Sequence, residues 1–420
     1  MRYNTALRGY AAKRIEEIGS ADILVGIPCY NNEKTITHVI QMVTHGLANH
    51  YGNKRAVILI SDGGSTDDSR EAAREFEIKP WQEKLITIYR GPAGKGSALR
   101  CLFEAADLLG VNVCAMVDSD LRSITPDWVK YLMDPVLEGG YQFVAPVYVR
   151  HKYDGTITNN IVYNLTRALY GVRIRQPIGG DFAISSDVAR FYTNQDVWDT
   201  EVARFGIDIW MTINAITQGF RICQSNLGVK IHDAKDPGKH LGPMFRQVLW
   251  TFFYLMERHE SFWKKIEGSR EVETFGFTGE IEPEPVNVDP DGMIEKFRTG
   301  YSQFSALWKE VFCEECFAGI SRCAEMNSKN FHLPTSTWVQ ILFELASTYH
   351  QWKMNRMQLI DMVTPLYYAR VASFVRQSWE MNSAEAETLV EEQALKFEEQ
   401  KDYLLRVWEQ ESQDKSPAAR

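Results

Sequence analysis

No apolar run in this 420-residue sequence is long enough to cross a bilayer: the most apolar window, residues 248–256, is short and contains Thr251. The stretch 1–18 has no apolar segment of the signal-peptide kind and carries Arg2, Arg8, Lys13, Arg14, Glu16 and Glu17 instead, which predicts a cytoplasmic protein. Excess basic charge is also missing. Residues 1–240 hold 27 basic and 27 acidic side chains and residues 241–420 hold 19 and 28, so the formal net charge of -9 belongs to the rear part. That balance argues against nucleic acid or an anionic membrane surface as a partner. The 7 cysteines are odd in number and scattered, which predicts reduced thiols rather than a disulfide framework. No repeat of fixed period is visible. What remains is ordinary for a globular chain, with 45% hydrophobic and 24% charged residues and length for two or three domains.

The front of the chain alternates apolar runs with helical periods. Residues 5–18 have the period of a short amphipathic helix. Strands are predicted at 23–28, 56–60, 85–89, 111–117 and 143–149, with a further strand within 222–231. Helices are predicted at 35–48, 69–76 and 97–109. Such alternation implies an α/β fold, Rossmann-like, with a mostly parallel sheet covered on both faces. Polar side chains recur where the strands end: Asn32, Asp62, Lys95, Asp118 and Asp120. In open α/β sheets, ligands bind at that rim. After residue 242 the sequence turns helical. We therefore divide the chain into an α/β domain at 1–245, a helical domain at 246–411 with a loop at about 267–291, and a tail at 412–420 expected to be disordered.

Val117-Asp118-Ser119-Asp120 closes one of the buried strands. Two carboxylates separated by one residue can reach a common hard cation, which the phosphates of a nucleotide can also hold. The same pattern occurs in plain surface turns. Gly91-Pro92-Ala93-Gly94-Lys95-Gly96-Ser97 has too few residues between its glycines for a Walker loop. A lysine among glycines at a strand-to-helix junction still suits a diphosphate, and a plain glycine turn is the alternative. Asp62 suits a base or ribose, with helix capping as the rival role and Thr66 or Asp67 as better caps. His232 suits a metal shared with Asp120, and Asp233 and Lys235 beside it suggest a charged cleft. Asp208 opens a helix, where an acid also serves the dipole. Cys313-x-x-Cys316 with Cys323 and His332 has zinc-ligand types, but their helical apolar context argues against zinc.

Pro28-Cys29-Tyr30-Asn31-Asn32-Glu33, Asp62-Gly63-Gly64-Ser65-Thr66-Asp67 and Asp118-Ser119-Asp120 together resemble family 2-like GT-A glycosyltransferases. Pro92-Ala93-Gly94-Lys95-Gly96, Gln176-Pro177-Ile178-Gly179-Gly180, Gly206-Ile207-Asp208 and His232 resemble more narrowly the mannosylglycerate, glucosylglycerate and glucosyl-3-phosphoglycerate synthases. The resemblance covers about residues 22–245 and leaves the helical rear unexplained.

It implies a nucleoside diphosphate hexose donor and a divalent cation, Mg2+ or Mn2+, ligated by Asp120 and His232. Asp118 would face the ribose or the metal, and Lys95 the diphosphate. Pro28, Tyr30, Asn32, Asp62 and Ser119 would hold the donor, with Gly179, Gly180 and Asp208 beside its sugar. Arg150 and Thr158 have the spacing of an arginine and threonine that grip the acceptor carboxylate in the mannosylglycerate enzyme, and Gln176 joins them on the acceptor side. The acceptor implied is D-glycerate or a similar small hydroxy acid, the product a compatible solute, and the stereochemistry retention. In inverting family 2 enzymes an acid near Asp208 is the base instead. A homo-oligomer is expected, because the rear helices carry apolar stripes. The rivals are a sugar-phosphate nucleotidyltransferase, whose glycine loop would follow the first strand, and a non-catalytic carbohydrate-binding or scaffold protein.

Overall fold

The computed structural model describes residues 3–232, 237–279 and 282–410. Asp233, Lys235 and the tail beyond 410 lie outside the described residues. The chain divides into two compact units: Met1–Arg150, Ile174–Ala234 and Glu271–Glu284 form one, and His151–Arg173, Lys235–Arg270 and Pro285–Arg420 the other. The sequence reading cut the chain once, whereas here each unit is assembled from three segments.

The first unit is built on one sheet of eight strands: β1 (Ile23–Cys29), β2 (Ala56–Asp62), β3 (Glu83–Ile88), β4 (Val113–Met116), β5 (Phe143–Val149), β6 (Phe182–Ser185), β7 (Ile222–Val229) and β8 (Thr274–Gly276). Their order is β3-β2-β1-β4-β6-β5-β7-β8. β6 runs antiparallel to both neighbours, β4 and β5, and every other pairing is parallel. β1 and β2 are buried along their whole length, as near-continuous Ile, Leu and Val runs require in a sheet covered on both faces. The helices Ile36–His50, Lys95–Leu109 and Pro126–Leu137 supply the covering. The mostly parallel α/β sheet is thus the predicted one.

Three details differ from the sequence reading. The fourth strand is shorter than 111–117, because Gly110 turns left-handed (φ 62°) and the Val111 N–H still caps the preceding helix at Ala106. β6 is hidden behind a glycine turn and is four residues long. β8 lies inside the stretch read as a loop; its three residues are too few to show alternation.

The second unit is helical. A π-helical turn, Thr158–Val162, runs into the helix Tyr163–Tyr170, and longer helices follow at Pro237–Arg258, Pro290–Val311, Thr335–Gln351, Thr364–Gln377 and Ser383–Glu399. Trp263, Trp308 and Trp338 are buried, and each indole N–H donates to a backbone carbonyl: Met256, Met362 and Asn160 respectively. Glu391 and Glu398 of the helix Ser383–Glu399 hold Arg167 at 2.5 and 2.9 Å. All seven cysteines are free thiols. Among the described residues no helix is long and apolar enough to cross a membrane.

Candidate active site

The rim where the parallel strands end carries a cluster of opposite charges. Lys95, first residue of the helix Lys95–Leu109, sends its ammonium to Asp118 Oδ1 at 2.8 Å and donates to the Gly180 carbonyl at 3.1 Å. Both Asp208 oxygens lie 3.5 Å from the same ammonium. Asp118 Oδ2 meets a second lysine, Lys230, at 3.0 Å. Lys230 also reaches Asp181 Oδ2 at 2.8 Å and the Gly179 carbonyl at 2.9 Å. Asp181 is fully buried, accepts the Asp118 backbone N–H at 2.7 Å through Oδ1, and accepts the Tyr148 hydroxyl through Oδ2.

Burial and charge compete at these groups. Burial favours protonated Asp118, but Lys230 and Lys95 outweigh it and hold the carboxyl well below its usual range. Burial favours neutral Lys95, yet Asp118 and Asp208 push its ammonium well above the usual range, so it stays charged. Asp208 goes the other way. Burial, with the nearby Asp118 charge, raises its carboxyl above the ordinary range, against Lys95. Its Oδ1 has no hydrogen bond.

Two glycines make the cluster possible by what they omit. A Cβ on Gly180, whose φ is +97°, would fall 2.2 Å from Asp118 Oδ2 and 2.9 Å from Lys230 Nζ. A Cβ on Gly96 would fall 1.9 Å from the Val202 carbonyl oxygen. The Gly94-Lys95-Gly96 stretch is therefore glycine-rich because another backbone segment passes against it, and the Gly96 N–H donates to the Arg204 carbonyl at 3.1 Å.

The loop after β1 forms the other side of the rim. Pro28 lies within β1, in register with Ser61 of β2. Tyr30 is 60% exposed, with its ring over Gly63. Asn31 takes a left-handed φ of 54°, and its backbone and side chain bond to Ser65 and Thr66. Asn32 Oδ1 accepts from Ser119 Oγ at 2.7 Å, tying this loop to the Asp118–Asp120 turn. Asp62, expected to face a base or ribose, turns inward: it is fully buried and accepts from Gly64 N, Ser65 N and Ser65 Oγ. Asp67 does the capping, accepting the Ser69 N–H at 3.1 Å.

Asp120 and His232 come together through the backbone. Leu121 and His232 form an antiparallel bridge, and the Arg122 N–H donates to the Ile231 carbonyl at 2.8 Å. His232 is thus one residue out of register with Asp120, and both side chains are half-buried. A carboxylate oxygen with an imidazole nitrogen suits a divalent Mg2+ or Mn2+ site, and Asp118 is already engaged by two lysines. Among the described residues no group of three or more His, Cys, Asp or Glu gathers around a metal position; Asp120 and His232 are brought to neighbouring backbone positions by the bridge.

The expected acceptor residues are divided between the two units. Arg150, at the end of β5, stacks over Tyr148 at 5.0 Å and points Nη2 to the Gly179 carbonyl at 3.5 Å. Gln176 is buried and donates to the Tyr148 carbonyl at 3.0 Å, leaving Oε1 without a hydrogen bond. Thr158 belongs to the other unit, where it is buried at the start of the π-helical turn. Sequence reasoning missed Lys230, Asp181 and Tyr148. The usable signals were an acid next to the Gly179-Gly180 turn and a lysine two residues before His232.

Residues 24–194 match the model of Glycosyl transferase family 2. The chain carries a family 2 glycosyltransferase domain. Among similar curated proteins, glucosyl-3-phosphoglycerate synthase of Mycobacterium tuberculosis (strain ATCC 25618 / H37Rv) is 27% identical over 251 residues, covering 54% of this chain and 72% of the relative. Glycosyltransferase AglJ of Haloferax volcanii is 26% identical over 203 residues, or 46% and 58% of the two chains. A crystal structure of the M. tuberculosis synthase with Mn2+, UDP-glucose and phosphoglyceric acid is 25% identical, covers 60% of this chain and 85% of its own, and has a TM-score of 0.43. That TM-score is too low to transfer geometry. The cluster at the sheet rim is the candidate centre of this glycosyltransferase.

Proposed function

We propose that this chain moves a hexose from UDP-glucose or GDP-mannose to D-glycerate or a similar small hydroxy acid such as 3-phosphoglycerate, with retention, giving glucosylglycerate, mannosylglycerate or the corresponding phosphate. One observation carries the reading: a charged, half-buried lysine shared by Asp118 and Asp208 at the strand rim of a family 2 domain. The curated relatives named as glucosyl-3-phosphoglycerate synthases support the substrate class.

We assign the roles as follows. Tyr30 offers an exposed ring for the base, with Asn32 and Ser119 fixing the loop edge beside it. Lys95 exchanges a carboxylate for the donor diphosphate and stabilises the charge that develops as it leaves. A divalent cation held by Asp120 and His232 supplies further positive charge there. Asp208 accepts hydroxyls of the sugar. Arg150 presents a guanidinium fork to the acceptor carboxylate, with Gln176 on the acceptor side of the same unit.

A release assay tests the reaction class: nucleoside diphosphate is expected, and pyrophosphate would establish the nucleotidyltransferase instead. A panel of nucleotide sugars against D-glycerate, 3-phosphoglycerate and glycerol then identifies the substrates. One feature favours a second reading, inversion with Asp208 as base: its raised carboxyl pKa and an Oδ1 that accepts no hydrogen bond suit proton abstraction. The anomeric configuration of the product, read by NMR, decides between them. The reading extends to a cytoplasmic homo-oligomer, checked by light scattering.

A further inference from the structure

The two lysines on Asp118 are not equivalent. Lys230 is saturated: its three ammonium hydrogens have three acceptors at 2.8 to 3.0 Å, and the Tyr148 ring lies 4.8 Å from its nitrogen. Its side chain is 4% exposed, against 15% for Lys95. Lys95 has one short ion pair, one carbonyl contact, and two long contacts to Asp208. Lys95 can therefore be released at modest cost, whereas Lys230 cannot.

We propose that Lys230 is a positioning residue whose fixed charge lets Lys95 leave Asp118 for the donor diphosphate, an inference that rests on the glycosyltransferase reading above. Asp118 divides its two oxygens, Oδ1 to Lys95 and Oδ2 to Lys230. When Lys95 turns to a ligand, Asp118 keeps a counter-charge only because Lys230 stays. Without it, Lys95 would be the sole partner of a buried carboxylate and would be held back from the phosphates. Asp181 and Tyr148 complete the device. Asp181 anchors the Asp118 backbone and the Lys230 ammonium together, so the counter-charge keeps its place whether or not Lys95 is present. The four groups come from the ends of β4, β5 and β7 and the start of β6, so the sheet itself holds them in register.

The test is a double-mutant cycle in full-length protein. Wild type, Lys230→Met, Lys95→Met and the double variant are titrated with UDP and with GDP in Mn2+, up to millimolar nucleotide, alongside thermal melts. We expect Lys230→Met to raise the Kd of the diphosphate that wild type binds about tenfold, and to change it less than twofold once Lys95 is Met. Lys230→Arg should restore affinity to within about threefold. A Kd for Lys230→Met within twofold of wild type overturns the proposal, as does an equal loss in both backgrounds. Should Lys230→Met not fold, Lys230→Met with Asp181→Asn replaces it; that pair removes one charge of each sign and keeps an oxygen for the Asp118 N–H. Wild type that binds neither diphosphate overturns the functional reading itself.

Discussion

In the sheet unit Lys95 and Lys230 face carboxylates; in the helical unit Arg167 does so too, on Glu391 and Glu398, but Lys152, Lys401 and Arg370 face backbone carbonyls and an amide. Lys152 donates to the Ser378, Trp379 and Met381 carbonyls at 2.7, 3.0 and 2.6 Å. Lys401 donates to Trp263 at 2.6 Å and to Ile266. Arg370, 2% exposed, reaches the Leu333 carbonyl and Asn160 Oδ1 at 3.1 and 3.2 Å. Burial lowers Arg370 to about 10 and Lys401 to about 8, with Asp402 opposing the shift in Lys401. Carbonyl dipoles satisfy donors and fix chain ends, but they leave the cation's charge uncompensated. Carboxylates hold the charge in place, and an incoming anion can take over their partner. Fixed staples and exchangeable pairs are thus built from the same residue types.

The sharpest break in that contrast is at the metal pair. Asp120→Ala and His232→Ala should each abolish turnover in steady-state assays while circular dichroism stays native. Chelator should do the same to wild type, with recovery on adding Mn2+ or Mg2+. Full activity in chelator would refute the metal assignment. Next comes the exchangeable cluster itself. Gly180→Ala places a methyl against Asp118 at a φ of +97°, so strain of about 1–3 kcal/mol and a displaced ion pair should cut kcat at least tenfold and lower the melting temperature. A variant with native activity would mean that the turn moves freely.

A smaller effect is expected at Arg150, the residue proposed to meet the acceptor carboxylate. Losing one charge-assisted pair costs about 1.5–3 kcal/mol, so Arg150→Ala should raise the acceptor KM roughly ten- to a hundredfold. Donor KM should hold, and Arg150→Lys should recover only part of the loss. Equal effects on glycerate and on uncharged glycerol would remove the carboxylate clamp. The smallest change concerns a staple. Folded Lys401 releases its proton near pH 8, before the unfolded chain does near 10.4. Between those values the unfolded state binds more protons, so this residue's contribution to stability rises with pH. Denaturant melts at pH 7.5, 9 and 10 should show that rise in wild type relative to Lys401→Met; parallel curves would contradict it.

Lys95 and Asp118 were legible because each follows a strand in an alternating chain and strand ends share a rim, whereas Asp208 showed only as an acid in the first turn of a helix. Lys230 and Asp181 were not, because their importance lies in pairings across 112 and 49 residues that no local pattern announces. Asp62 looked like a ligand group for a related reason: Asp-Gly-Gly reads the same whether the carboxylate faces out or, as here, closes its own turn. The parallel core was visible in its apolar runs, while β6 and β8 were too short to carry a period.

The threading of the chain between its two units also constrains how it can be made. On the ribosome, residues 151–173 emerge before the helices from 285 onward that complete their unit. The outer edge of β7 stays open until Thr274–Gly276 has been synthesised. Neither unit can finish during translation of its own first segment, so a nascent chain halted near residue 245 should present a bare strand edge and an orphaned helix to chaperones. Released as a fragment, it should aggregate rather than survive as a separate enzyme.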